Sequence, residues 1–242
     1  MGAVQRFMDD NAVVERVLAH VRNGTTDEGA EVWREPVENY RSEERLRRAL
    51  AVLRRLPVPF CPSAALREPG AYVARHAAGV PILAVRGKDG EVRAYRNACR
   101  HRGAEVANGM GCANAFVCPF HGWTYGLVGD LRRVQHERGC PDLDKRTHGL
   151  VPVLAQERSG IVFITQSGQL SDHDPGDGLP DLGAADLELI KARDNDVDVN
   201  WKVSIEGAIE GYDIRFGHPD TFYPYGYDNL NVVEHCGRNS RV

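Results

Sequence analysis

The sequence predicts an α+β fold: helices at the N-terminus, a small all-β module in the middle, and the incomplete start of a second α+β segment at the C-terminus. Three observations carry this expectation. Apolar residues recur near helical spacing over residues 3–21 and again from Glu43 to Leu56. From about Ala71 the pattern changes to short β-rich runs punctuated by turn residues. After a stretch rich in Gly, Pro and Asp, a strand-like run passes into a helix that Asn200 is placed to cap.

The first helix sets Val4, Phe7, Met8, Val14, Val17, Leu18 and Val21 at helical intervals, and NGTTDEG ends it. The second, Arg-rich, carries Leu46, Leu50 and Leu53 on one stripe until Pro57 and Pro59 stop it, with its arginines read as a solvated face. VPILAVRGKDGEVRAYRN is two strand-like runs around Asp89-Gly90, a dipeptide that favours a hairpin because the turn needs positive φ. FVCPFHGWTYGLVGDLRRV and LVPVLAQERSGIVFITQ continue the β character, and the Gly, Pro and Asp residues between Ser167 and Asp186 read as a linker. These shifts divide the chain into 1–57, a helical segment; 58–166, the β module; and 167–242, the linker with a partial second domain.

With 242 residues, a formal charge of −4 and 26% charged residues, the composition is that of an ordinary globular protein with no basic excess for nucleic acid. The first residues hold no apolar core of a secretory signal, and no apolar run is long enough to cross a membrane, so a cytoplasmic location is expected. In that setting the six cysteines are expected as thiols or metal ligands.

Two cysteines have histidine companions. Residues 99–121, CRHRGAEVANGMGCANAFVCPFH, hold the pattern C-x-H-x16-C-x2-H in Cys99, His101, Cys118 and His121. Each pair fits one tight loop, and two facing loops can enclose a four-donor site for zinc or for a two-iron cluster. Zinc fingers usually pair Cys with Cys and His with His in sequence, whereas each loop here supplies one of each. Cys61, Cys112, Cys140 and Cys236, and His20, His76, His136, His148, His173 and His235, lack a partner at ligand spacing and are read as structural.

This pattern, followed by Gly122-Trp123, resembles a Rieske [2Fe–2S] domain. The resemblance implies that Cys99 and Cys118 hold one iron and His101 and His121 the other, which raises the cluster's potential. Respiratory Rieske proteins would carry an extra cysteine beside each pair. Gly103-Ala104 and Pro119-Phe120 stand there instead, and CRHRG with CPFHGWTY is similar to the ring-hydroxylating oxygenase α-subunits.

The helix expected after Asn200 sets Glu206, Glu210 and Asp213 at i, i+4 and i+7, three carboxylates on one face, while Val203, Ile205, Ile209 and Tyr212 imply burial on at least one other side. NWKVSIEGAIEGYDIRFGHP also resembles the opening of the oxygenase catalytic domain, of helix-grip type. By that resemblance Glu210 takes the place of the carboxylate bridging a neighbouring subunit's cluster to the catalytic iron, and His218 that of the second iron-binding histidine. Asp213 stands where the first histidine is expected. A 2-His-1-carboxylate triad on mononuclear Fe(II) is the usual site. Asp213 adds negative charge and shortens reach, so weaker iron binding and reduced turnover are expected. The family's third ligand lies far downstream, and only residues 219–242 follow His218, so a truncated catalytic domain is expected.

The resemblance implies electrons from a reductase or ferredoxin, O2-dependent hydroxylation of a small organic substrate, aromatic by family default, and a homotrimer. The alternative is an electron-transfer protein that keeps the cluster without oxygenase activity. In DTFYPYGYDNL, Phe222, Tyr223, Tyr225 and Tyr227 read as core packing, with a cage for a quaternary ammonium as the other reading.

Overall fold

The computed structural model describes residues 7–32, 34–167, 187–195, 197–226, 230–236 and 239–242. The expected linker falls on residues 168–186, and these, with Val4, His173 and Tyr227, lie outside the described residues. The chain divides into two compact units, one of residues 46–194 and one of 1–45 with 195–242.

Three helices come first: α1 (Asp10–Asn23), α2 (Glu38–Arg41) and α3 (Glu43–Arg55). The larger unit then runs through β1 (Val58–Pro62), β2 (Ala71–Ala77), β3 (Val80–Arg86), β4 (Val92–Arg96) and β5 (Gly109–Cys112). The short strands β6 (Phe116–Val117), β7 (Thr124–Tyr125) and β8 (Leu131–Arg133) follow, then β9 (Pro152–Arg158) and β10 (Ile161–Thr165). Seven strands form an antiparallel sheet in the order β1-β10-β9-β4-β3-β2-β5, and β6-β7-β8 form a second, three-stranded sheet.

β3 explains why the unit has two cores. Successive side chains of a strand point to opposite faces, and Ile82 and Ala84 enter one cluster with Phe60, Leu66, Val162 and Ile164 while Leu83 and Val85 enter another. A strand covered on both sides must be apolar at every position, which is what PILAV supplies. The second cluster contains Tyr95, Cys99, Phe116, Cys118, Trp123 and Tyr125, so the metal-type cysteines are part of a core.

The hairpin lies where Asp89-Gly90 predicts it. Gly90 has φ +83°, its N–H donates to the Gly87 carbonyl, and Gly87 N–H donates to the Glu91 carbonyl. Arg86 then clamps the region: Nε donates to Leu66 O at 2.6 Å, Nη1 to Gly90 O at 2.8 Å, and the guanidinium forks onto both Glu157 oxygens at 2.8 Å.

In the smaller unit, α1 starts at Asp10 because Asp9 caps it, Oδ1 accepting from Ala12 N–H at 2.8 Å, and Gly24 ends it at φ +64°. After it, Asp27 accepts from Arg16, His20 and the Val233 amide. The unit closes with α4 (Trp201–Ile209), α5 (Ile214–Gly217), β11 (Glu234–Cys236) and β12 (Asn239–Arg241). Asn200 caps α4 as expected, accepting from Lys202 N–H at 3.0 Å. The terminal stretch forms the antiparallel pair β11-β12.

Three expectations fail here. α4 ends at Ile209 and Glu210 is extended (φ −95°, ψ 146°), so Glu206, Glu210 and Asp213 do not share a helical face. Gly207 and Gly211 flank the break, each costing about 1 kcal/mol in a helix relative to Ala, and the carboxylate stack would add repulsion of a few tenths. Val203, Ile205, Ile209 and Tyr212 are exposed, as are Phe222 and Tyr225, so neither the expected buried helix side nor core packing of those aromatics is present.

Candidate metal centre

Two loops of the same construction carry the four candidate donors. In the first, between β4 and β5, Cys99 N–H donates to Ala104 O and Cys99 O accepts from Gly103 N–H, both at 2.8 Å. In the second, between β6 and β7, Cys118 N–H donates to Trp123 O at 2.8 Å and Cys118 O accepts from Gly122 N–H at 2.9 Å. Each loop thus closes on the fourth and fifth residues after its cysteine, through a glycine at φ +78° (Gly103) or +71° (Gly122). That conformation is costly for a residue with a Cβ, and a Cβ on Gly122 would also meet Gln135 Cγ at 2.9 Å.

The loops sort their donors by depth. Cys99 and Cys118 are buried free thiols, whereas His101 and His121 are exposed, with their Nδ1 atoms 3.1 Å apart. Trp123 stacks on His101, with centroids 5.0 Å apart and planes within 14°, and fixes that ring. Desolvation, then the charges of His121 and Arg102, push the His101 imidazole below its ordinary value, which favours the neutral form a metal requires.

Tyr125 completes the site, and the spacing of the motif gave no notice of it. Its phenol is fully buried, lies 3.2 Å from Cys99 Sγ and accepts from Arg100 N–H at 2.9 Å. Burial, then the bond to Cys99, hold the phenol well above its ordinary range, so it stays a proton donor. The available signal was alternation: Trp123, Tyr125 and Leu127 all point inward from one segment.

Two sulfur and two nitrogen donors therefore meet between two loops, sulfurs inward and nitrogens outward. Among the described residues no three His, Cys, Asp or Glu side chains converge on a single ion position. A binuclear group that takes two protein donors per iron and completes its coordination with sulfide suits this arrangement better than one four-coordinate zinc. A family model of the Rieske [2Fe-2S] domain matches residues 57–149, which contain both loops, Trp123 and Tyr125.

Residues 57–149 are a Rieske [2Fe–2S] domain. The chain is related to Rieske oxygenase α-subunits. The carnitine monooxygenase oxygenase subunit of Acinetobacter pittii is 32% identical over 164 residues, 64% of this chain and 44% of that protein. The glycine betaine monooxygenase oxygenase subunit of Chromohalobacter salexigens is 34% identical over 157 residues, 62% of this chain and 35% of that one. The crystal structure of the quaternary ammonium Rieske monooxygenase CntA with L-carnitine aligns at TM-score 0.71 and 27% identity, covering 84% of this chain and 59% of that one. The chain thus spans less than half the length of these two curated relatives.

Outside the Rieske domain the second set of candidate donors is only partly assembled. Asp213 precedes α5 and His218 follows it, and Asp213 Oδ2 lies 3.6 Å from His218 Nε2. Glu210, extended beyond α4, does not join them in a three-donor group among the described residues. One carboxylate and one imidazole are one imidazole short of the first two ligands of a facial triad. The described residues do not build that site.

Proposed function

We propose that this chain is an oxygenase α-subunit whose Rieske domain takes single electrons from a reductase or ferredoxin, with Cys99 and Cys118 on one iron and His101 and His121 on the other. The observation that carries the reading is the pair of twin loops, with buried sulfurs behind two imidazole nitrogens 3.1 Å apart. When bound, the cluster supplies one-electron chemistry at a potential raised by neutral imidazole ligands. The protein's part is positional. Trp123 holds the His101 ring, Tyr125 holds a proton on its oxygen toward Cys99, and the apolar cluster keeps water from the sulfur side. The exposed imidazoles leave one edge open for electrons to enter and leave.

The domain division at 1–57, 58–166 and 167–242, a cytoplasmic location and a homotrimer belong to the same proposal. So does O2-dependent hydroxylation of a small substrate. The names of the relatives favour a quaternary ammonium compound over an aromatic hydrocarbon. Asp213 in a histidine position argues for weak binding of mononuclear iron and impaired hydroxylation. It also favours the second reading, an electron carrier without oxygenase activity.

Iron and acid-labile sulfide analysis of anaerobically purified protein, with EPR after reduction, tests both. Two irons, two sulfides and a Rieske spectrum support the cluster, and a colourless protein stoichiometric in zinc would refute it. A third iron with hydroxylation of carnitine or glycine betaine selects the oxygenase. A full cluster with no third iron and no product selects the carrier.

A further inference from the structure

We infer that Asn97 is a positioning residue for the cluster: its carboxamide takes the place of strand pairing at the base of the loop that carries Cys99 and His101. This rests on the Rieske reading above and adds the residue that fixes one half of the donor set.

The two donor loops close alike at their tips but not at their bases. Behind Cys118 the chain is a hairpin, with Phe116 paired in register with Tyr125 and Val117 with Thr124. Behind Cys99 no such ladder is present among the described residues. β4 ends at Arg96 and pairs with β3 and β9, whereas β5 begins at Gly109 and pairs with β2. In the sheet order β4-β3-β2-β5 the two strands flanking the first loop are therefore not neighbours.

Asn97 spans that gap. The residue is 1% exposed, and its N–H donates to the Pro81 carbonyl at 2.9 Å, which ties its backbone to β3. Oδ1 accepts from Val106 N–H at 2.9 Å and Ala107 N–H at 3.2 Å. Nδ2 donates to Ala107 O at 2.8 Å and to Glu105 Oε2 at 3.3 Å. Two amides face the oxygen and two oxygens face the nitrogen, so the partners fix the orientation of the carboxamide. By accepting from and donating to Ala107, the side chain reproduces the paired bonds of an antiparallel ladder.

Packing passes this constraint to the donors. Val106 is buried in the same core cluster as Cys99, Cys118, Trp123 and Tyr125, and Ala104 and Ala107 pack against that cluster. Cys99, two residues after Asn97, closes in turn on Ala104. Without the carboxamide the amides of Val106 and Ala107 lose their acceptor, and a buried amide left unpaired favours opening of the loop toward water.

Asn97→Leu keeps the branching of the side chain and removes all of these bonds. Asn97→Asp, ionised at about pH 8, still accepts from both amides but turns an oxygen toward Ala107 O and Glu105. Adding Glu105→Gln gives that oxygen a donor again. Val162→Ala, in the other core cluster, is the control for general destabilisation. Three readouts follow on anaerobically purified protein: the rate at which bathophenanthroline strips iron, the EPR of the reduced sample, and hydrogen exchange over residues 98–108 and 116–125 by mass spectrometry.

Asn97→Leu is expected to lose iron about tenfold faster than wild type. Its g-values should shift, and exchange should quicken over residues 98–108 while residues 116–125 keep the wild-type rate. Asn97→Asp should show smaller changes of the same kind, partly reversed by Glu105→Gln. Val162→Ala should lower the melting temperature and leave all three readouts in place. Wild-type behaviour of Asn97→Leu, changes that Val162→Ala reproduces, or exchange that rises equally in both loops would each overturn the proposal. If Asn97→Leu does not assemble, Asn97→Asp decides on the same readouts, and failure of Glu105→Gln to restore any of them counts as refutation. Failure of the Rieske reading is separately visible as the absence of cluster signal in the wild type, where hydrogen exchange still reports the brace.

Discussion

Replacing Tyr125 with Phe keeps the buried ring and removes one oxygen that serves two partners. Toward Cys99 Sγ, 3.2 Å away, the hydroxyl is a donor. A sulfur ligand becomes more negative when the cluster is reduced, so the bond strengthens on reduction. The difference between a neutral hydrogen bond and one to a charged acceptor is about 1 kcal/mol. With 59 mV per tenfold, or 1.4 kcal/mol, for one electron, the potential should fall by about 40 mV.

Toward Arg100 N–H, at 2.9 Å, the same oxygen is an acceptor, and its loss leaves a partly buried amide unpaired at a cost of about 1–2 kcal/mol. Because the phenol is held above its ordinary pKa, the drop in potential should be the same from about pH 6 to pH 9. Potentiometric titration followed by EPR, with thermal melts of the same samples, measures both effects. An unchanged potential in a variant with full cluster content would refute the reasoning.

Gly122→Ala should lower cluster occupancy and stability more than Gly103→Ala. Both positions have positive φ, costing about 1–2 kcal/mol, but only Gly122 brings a Cβ against Gln135; iron content and melting temperature compare them. Burial pushes the Cys61 thiol up to about 12, so brief alkylation of the native protein at about pH 8 should modify the exposed Cys112 and Cys140 and spare Cys61, as peptide mass spectrometry would show. Arg86→Leu should cost about 2 kcal/mol at neutral pH after allowance for solvent screening, read from urea midpoints.

The Arg86 bond holds the Glu157 carboxyl below its ordinary 4.5. This part of the stability is therefore present above 4.5 and lost as pH falls through the lower folded value. The gap between wild type and Arg86→Leu should narrow as pH falls below 4.5 without closing, since the bonds to Leu66 and Gly90 remain.

The two loops that carry the four proposed donors were legible because each pair lies within one short loop, and loop conformation depends on residues adjacent in the chain. The Asp89-Gly90 hairpin and the Asn200 cap were legible for the same reason. The helix carrying Glu206, Glu210 and Asp213 was misread because the spacing of carboxylates says nothing of where a helix stops. Gly207 and Gly211 held that information, and Glu206 takes a hydrogen bond from Tyr40, far away in sequence. Apolar Ile205 and Ile209 suggested burial that the described neighbours do not provide.

Sequence alone supplied the four proposed donors, the order that separates them from a zinc finger, and the glycines that let each loop turn, since all of these are properties of adjacent residues. Tertiary structure decided which sulfur receives a hydrogen bond and which imidazole is stacked. Those outcomes depend on strands brought together across the chain, where burial and distance, and not spacing, set the strength of each contact.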